Sequence, residues 1–345
     1  MERILLIINR SSATGYGNAA IDRLSSMLTG ALGPGANPQV EVVDDHPQAK
    51  SKTREFLASS DTPSFIIAGG GGGTLRAVIE AICEGSEPGN LPGRERIRIS
   101  ALRMGSGNVV ARQFGVPRDP EAALKGIVAN LNENRTAPCC IMGFEVGKKD
   151  SPPEVCYATT MGGFGQFGRS PGDLARWHRR LPTLRRLLAW LLGIERLNSM
   201  EYGLSLLLRF SWCALWPNAT EVIEVRWGEN VRAMRLLAGV VMNFPLKHLP
   251  FKPGTRVEEE ALSLNFIPYP GRLATLFGPL SPKLLTRRAL QLKLAGRDSA
   301  EVRLVNRDSM GFFLDEDSAV FHKRVLVRVA GTLAFVPGPD YHWQQ

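Results

Sequence analysis

Between Phe65 and Ile82 the chain passes from a short apolar stretch, Phe65-Ile66-Ile67-Ala68, through five consecutive glycines, Gly69 to Gly73, and Thr74, into a run in which Val78, Ile79 and Ile82 share one helical face. That pattern predicts strand, glycine loop, helix. A backbone without side chains can turn sharply and aim several N–H groups at one place, and a helix N-terminus adds its partial positive charge. The chemistry this suits is the holding of phosphate. A flexible turn is the plainer alternative, but most turns use one or two glycines, and each further one adds to the entropy cost of folding. The loop is not a Walker A sequence, because no Gly-Lys-Ser/Thr follows, nor is it Gly-x-Gly-x-x-Gly in its usual dinucleotide setting. A second small-residue loop, Met104-Gly105-Ser106-Gly107-Asn108, enters the run Val109-Val110-Ala111-Arg112 and repeats the same logic.

The elements that must position these loops alternate. Ile4 to Ile8 is a continuous apolar strand ending at Asn9, followed by a Ser/Gly-rich loop and a helical pattern carrying Ala20, Leu24, Met27 and Leu28. Val40 to Val43 is a strand, Lys50 to Ala58 a helix, Ile97 to Leu102 a strand, and Pro120 opens a helix beside Asp119. Such alternation predicts a parallel α/β layer with ligands beyond the strand C-termini, so Asn9 and the glycine run are expected on one edge. The pattern fades near Thr136, which divides the chain into an α/β nucleotide-binding domain over 1–136 and a mainly antiparallel β-sandwich over 137–345. Strands of the second part are expected at 140–146, 155–160, 203–210, 222–227, 234–242, 261–266, 301–305 and 324–329, and the run 210–216 as a core strand. Within it Pro171 to Leu192 reads as two short basic helices split at Pro182. Their arginines, Trp177 and Trp190 suit either a cover over the sandwich or, as a basic insertion over 171–193, a membrane interface.

With 345 residues, 44% of them apolar, the chain can bury a sizeable core. A formal charge of +9 favours anionic partners: nucleotide phosphates and an anionic membrane surface are expected. No motif accompanies that charge for nucleic acid, so none is expected as a partner, and a homodimer is compatible with the sequence. Five cysteines without Cys-x-x-Cys spacing indicate neither a disulfide framework nor a zinc site, and no stretch is apolar enough to span a bilayer. A reducing cytoplasm with peripheral membrane association fits this composition. The five histidines lack ligand spacing, and no role is expected for them.

The two loops and the order of elements resemble the diacylglycerol kinase catalytic-domain family of soluble bacterial lipid kinases, related to sphingosine kinases and NAD kinases. The family's marks are an early Asn-Pro loop, a Gly-Gly-Asp-Gly-Thr loop, a Gly-Thr/Ser-Gly-Asn loop leading to Ala-Arg, and a late Asp-Gly-Glu. Here Asn9-Arg10, Gly70-Gly71-Gly72-Gly73-Thr74, Gly105-Ser106-Gly107-Asn108 with Ala111-Arg112, and Asp315-Glu316-Asp317 stand in those places. The resemblance implies an ATP- and Mg2+-dependent lipid kinase that transfers the γ-phosphoryl group to the hydroxyl of diacylglycerol or a related lipid alcohol, in a cleft between the domains. It implies that the glycine-loop amides and Thr74 hold the nucleotide phosphates, that Gly105, Ser106 and Asn108 complete the pocket, and that Asn9 sits at its mouth. Asp315 would be the general base, helped by Asp317, and Asp315→Ala would then leave the fold intact.

Several residues depart from the family pattern. Gly72 stands where the family has aspartate, Ala77 where many members have glutamate, Glu316 where it has glycine, Asp317 where it has glutamate, and Arg103 where it has proline. The alternative these departures motivate is a nucleotide- and lipid-binding regulatory protein that transfers phosphate poorly. An NAD kinase-like enzyme is a third reading.

Overall fold

The computed structural model describes residues 2–11, 18–33, 37–84, 96–105, 109–180, 198–244, 255–278, 281–315 and 317–343. The first part alternates as β1 (Arg3–Asn9), α1 (Asn18–Leu32), β2 (Gln39–Val43), α2 (His46–Ala58), β3 (Ser64–Gly70), α3 (Gly72–Cys83), β4 (Ile97–Arg103), α4 (Val109–Gln113) and α5 (Pro120–Asn132). Strands β2, β1, β3 and β4 lie side by side in that order, all parallel. Consecutive residues Leu5, Leu6, Ile7 and Ile8 are all buried, as a strand covered on both faces requires. Helices α2 and α5 start where Asp45 and Asp119 accept hydrogen bonds from the N–H groups of Gln48 (2.9 Å) and Ala122 (3.0 Å), each followed by an early proline.

The second part is strand-rich and mainly antiparallel. Its strands are β5 (Ala137–Val146), β6 (Glu154–Ala158), β7 (Met161–Phe164), β8 (Glu221–Trp227), β9 (Asn230–Met242), β10 (Ala261–Pro268), β11 (Leu290–Ala295), β12 (Ser299–Leu304), β13 (Ser309–Leu314), β14 (Asp317–His322) and β15 (Arg324–Phe335). Its helices are α6 (Gly165–Arg180), α7 (Asn198–Leu215), α8 (Arg272–Phe277) and α9 (Pro282–Thr286). The fold class expected from the sequence is the one observed.

Two segments differ from expectation. Residues 203–210 and 210–216, read as strands, belong to helix α7 and its end. A run this rich in apolar residues has little period to decide between strand and helix, and the absence of any β-branched residue from Asn198 to Trp216 lets helical propensity win. Pro171, read as opening a short helix, lies inside α6, which runs on to Arg180. Residues 181–193 of the expected basic insertion, with Pro182 and Trp190, lie outside the described residues.

Strand β15 ties the two parts together. It pairs antiparallel with β5 and β12, while its last residues, Ala334 and Phe335, pair parallel with Arg98 and Ile99 of β4. Phe335 then stacks on Phe114 at a centroid distance of 4.1 Å, and Asn130 Nδ2 donates to the Pro337 carbonyl at 2.9 Å. Truncating this anchor, Phe335→Ala, is expected to cost about 3–5 kcal/mol of stability, read from urea unfolding; a cost under about 1 kcal/mol would show that β15 does not need the stack.

Candidate functional site

The five glycines do not form one loop. Gly69 and Gly70 finish β3, paired with Leu102 and Arg103 of β4, Gly71 is the N-cap, and Gly72 and Gly73 are the first turn of α3. The connection between strand and helix is therefore a single residue. At Gly70 the turn leaves no room for a side chain, because a Cβ there would collide with the Thr74 hydroxyl, whereas one on Gly73 would meet nothing. The first N–H groups of a helix have no partner within it, so those of Gly72 and Gly73 point out beyond the strand ends. Gly71 offers no side chain to cap them. Thr74 is buried, and its hydroxyl has no hydrogen-bond partner among the described residues.

The second loop docks directly on this turn. Gly105 N–H donates to the Gly70 carbonyl at 3.0 Å, and a Cβ on Gly105 would come within 2.5 Å of the Gly71 Cα. Both loops leave neighbouring parallel strands at their C-terminal ends. Asn9, the last residue of β1, lies on the same edge, where its side-chain oxygen accepts from the Ser11 N–H (3.0 Å) and hydroxyl (2.6 Å), shaping the turn out of the strand. Ser106 and Asn108 lie outside the described residues. Beside the second loop, burial and the neighbouring charges of Arg118 and Arg112 push the Arg103 guanidinium below its usual range. None of these three arginines is paired with a carboxylate among the described residues. A bound anion would relieve their mutual repulsion.

Across from α3 stands Asp315, at the tip of the β13–β14 hairpin, in left-handed conformation (φ 54°), which a short polar side chain tolerates. It is buried. Its carboxylate accepts from the backbone N–H groups of Thr159 (3.0 Å), Thr160 (2.7 Å) and Met161 (3.1 Å), and from the Thr159 hydroxyl at 3.3 Å. Burial raises the Asp315 carboxyl above the ordinary carboxylate range, against the lowering effect of those N–H groups and of the Arg76 charge. Asp315 thus holds the turn between β6 and β7, a structural task the sequence did not reveal. Asp317 is the first residue of β14, in register with Leu314.

Arg76 makes the link between the halves. From the second turn of α3 its guanidinium donates to the Leu314 carbonyl at 2.9 Å and pairs with Glu80 at 3.2 Å. Glu80 also meets His46 Nε2 at 3.0 Å and Lys50 at 3.5 Å, and the His46 Nδ1 faces the Gly73 carbonyl at 3.0 Å. Burial would raise Glu80, but the His46 hydrogen bond and the charges of Arg76, His46 and Lys50 outweigh it and hold Glu80 below the usual carboxylate range. Arg76, Glu80 and His46 were missed from the sequence. Arg76 and Glu80 could have been found as an i,i+4 pair leaving the glycine turn, whereas His46 comes from a helix 27 residues earlier than its partner Gly73 and gave no signal.

Among the described residues no group of three His, Cys, Asp or Glu side chains could hold a metal ion. Of the carboxylates linked to α3, Asp315 is already engaged by hydrogen-bond donors and Glu80 by cations. The described residues therefore do not fit a Mg2+ ion held by the protein itself.

By its fold the chain is a parallel α/β layer carrying two joined glycine turns, followed by an antiparallel strand-rich region. The Diacylglycerol kinase catalytic domain model matches residues 3–137 of the chain. No curated protein matches the chain. Among solved structures it is similar to a diacylglycerol kinase from Bacillus anthracis str. Sterne, at 13% identity with a TM-score of 0.58, covering 99% of this chain and 98% of that one. Structures of candidate diacylglycerol kinases from the same organism have TM-scores of 0.62 and 0.61 at 16% and 14% identity; each covers 98% of this chain, and 98% and 99% of those chains are matched. At such identities the likeness establishes the fold, and it extends well past the segment the family model matches.

Asp315→Ala would leave three buried backbone N–H groups without acceptors. It is expected to cost roughly 3 kcal/mol of stability, not to leave the fold intact as the sequence suggested. Asp315→Asn keeps an acceptor and the left-handed preference and is expected to cost less. Denaturant midpoints of the two variants check this; a midpoint for Asp315→Ala equal to that of the unaltered protein would contradict it.

Proposed function

We propose that the protein is a lipid kinase that transfers the γ-phosphoryl group of ATP to the hydroxyl of diacylglycerol or a related lipid alcohol. The observation that carries this reading is the junction of Gly70, Gly71 and Gly105, which leaves the N-terminal amides of α3 open near Arg103, whose guanidinium pairs with no carboxylate among the described residues. In this reading the amides of Gly72 and Gly73 and the orphaned Thr74 hydroxyl receive the nucleotide phosphates, with Gly105, Ser106 and Asn108 closing the pocket and Arg103 adding charge. Asn9 stands at its mouth by shaping the β1 turn. Mg2+ belongs to the nucleotide and arrives with it, and no step depends on a metal site in the protein. Phosphoryl transfer needs mainly positioning and charge stabilisation, which these residues supply.

Asp315 takes the proton of the lipid hydroxyl. Burial favours its protonated form and so strengthens it as a base. Its one side-chain donor, the Thr159 hydroxyl at 3.3 Å, is the contact a substrate hydroxyl would replace. Asp317 follows on β14 and assists from the same hairpin. One observation favours a second reading, a nucleotide- and lipid-binding protein without turnover: Gly72 puts no carboxylate in the glycine turn, and the Asp315 carboxylate already accepts hydrogen bonds from four donor groups.

Transfer from labelled ATP to lipids in mixed micelles separates the two. A labelled lipid alcohol is expected, lost by about a hundredfold or more in Asp315→Asn with ATP binding retained; full turnover in that variant would overturn the assignment of the base. Arg103→Ala is expected to raise the KM for ATP roughly tenfold with little change in kcat, and an unchanged KM would remove Arg103 from the site. No product from the unaltered protein despite ATP binding, with product gained in Gly72→Asp, would establish the binding-protein reading.

A further inference from the structure

Helix α7 has two apolar faces. One, with Phe210 and Cys213 and with Leu206 packed beside them, belongs to a core cluster with Leu237 and Val240 of β9. The other bears Leu204, Leu207, Leu208, Trp212 and Leu215, which at 100° per residue fall within a sector of about 140°, and it is open to solvent. Leu208 is 51% exposed, Trp212 55% and Leu215 63%. The only charged residues from Asn198 to Trp216 are Glu201 and Arg209, and Arg209 is paired with Asp173. The rings of Trp212 and Trp216 stack on one another at 4.1 Å.

The exposed apolar surface continues onto neighbouring helices. Helix α8 packs against α7, and α9 against α8. On α8, Leu273 and Phe277 are one helical turn apart and exposed, while the opposite side turns Thr275 inward. A soluble monomer rarely leaves so many large apolar side chains uncovered on adjoining elements.

Charge identifies what covers them. From Ala261 to Arg297 there is no aspartate or glutamate, against six lysines and arginines. Arg272, Lys283, Arg287 and Arg288 are exposed on or beside α8 and α9, and none forms an ion pair with a described residue. A second copy meeting this face in an isologous contact would bring like charges together. Leucines and indoles bordered by unpaired guanidinium and ammonium groups match instead an acyl boundary below a layer of phosphates. None of the described helices is long and apolar enough to cross a membrane, so such a contact lies along the surface.

We propose that the exposed face of α7, continued by α8 and α9, docks on an anionic lipid bilayer, with Trp212, Trp216, Leu215, Leu273 and Phe277 entering the acyl boundary and Arg272, Lys283, Arg287 and Arg288 meeting headgroup phosphates. This surface lies outside the glycine site and does not depend on turnover.

The test is co-sedimentation of the full chain, without ATP, with vesicles of phosphatidylcholine alone or with a phosphatidylglycerol fraction, at two salt concentrations. Binding to the anionic vesicles is expected, weakening with salt. Neutralising Arg287→Gln and Arg288→Gln together should lower it by tenfold or more, since each basic residue near an anionic surface contributes roughly fivefold. Leu273→Ser with Phe277→Ser, at positions already in water, should lower it comparably while leaving the unfolding midpoint unchanged. Three results would overturn the proposal: no vesicle binding, binding indifferent to both variant pairs, or a solution dimer that the Leu273→Ser, Phe277→Ser variant dissociates.

Discussion

Everything at the candidate site depends on the close approach of two backbones. The Gly105 N–H reaches the Gly70 carbonyl at 3.0 Å, and a Cβ at Gly105 would be only 2.5 Å from the Gly71 Cα. Two strands that neighbour one another in a parallel sheet deliver their connections to the same edge, and only glycines let those connections touch. Because they touch, β3 passes into α3 through one residue, and the open end of the helix lies at the strand ends. The parallel sheet, the buried strands and the helices around them are the support for that one contact.

The second dependency runs between the halves of the chain. Arg76 leaves the glycine turn and reaches the Leu314 carbonyl, while the next residue, Asp315, gathers the amides of Thr159, Thr160 and Met161. One guanidinium and one carboxylate thereby join α3, the β13–β14 hairpin and the turn between β6 and β7. In the family pattern this region carries acidic residues after the glycines. Here Gly72 and Ala77 remove them, and the one carboxylate left on α3 beyond the turn, Glu80, is taken up by Arg76, His46 and Lys50. That change suits an anion and suits a protein-held metal poorly. The return of β15 to β4 fixes the two halves a second time, through Phe335 against Phe114.

Much of this was legible in the sequence where local pattern and tertiary need coincide. Ile4–Ile8 and Phe65–Ala68 are too apolar and too short for anything but buried strands, and the caps Asp119 and Pro120 mark a helix start without tertiary information. Gly105 stands out because its neighbours are small. What escaped was set by distant partners. The role of Asp315 in holding the amides of a turn more than 150 residues away leaves no trace in its neighbourhood, and an acidic hairpin tip looks the same with or without that task. His46 meets the glycine turn only through the packing of α2 on α3. The sequence of α7 reads as strand because apolar residues on both of its faces leave little period. That same ambiguity reflects the physics, since one of its apolar faces is in the core and the other is not.

The central claim is that the joined glycine turns form a phosphate site. The most direct measurement is equilibrium binding of ATP to the intact protein, with inorganic triphosphate and adenosine as separate competitors over a range of salt. The account predicts that triphosphate displaces ATP, that adenosine does so far more weakly, and that affinity falls as salt rises. Displacement by adenosine as effective as that by triphosphate, with no salt dependence, would contradict it, because the affinity would then lie in the base and not at the open end of α3.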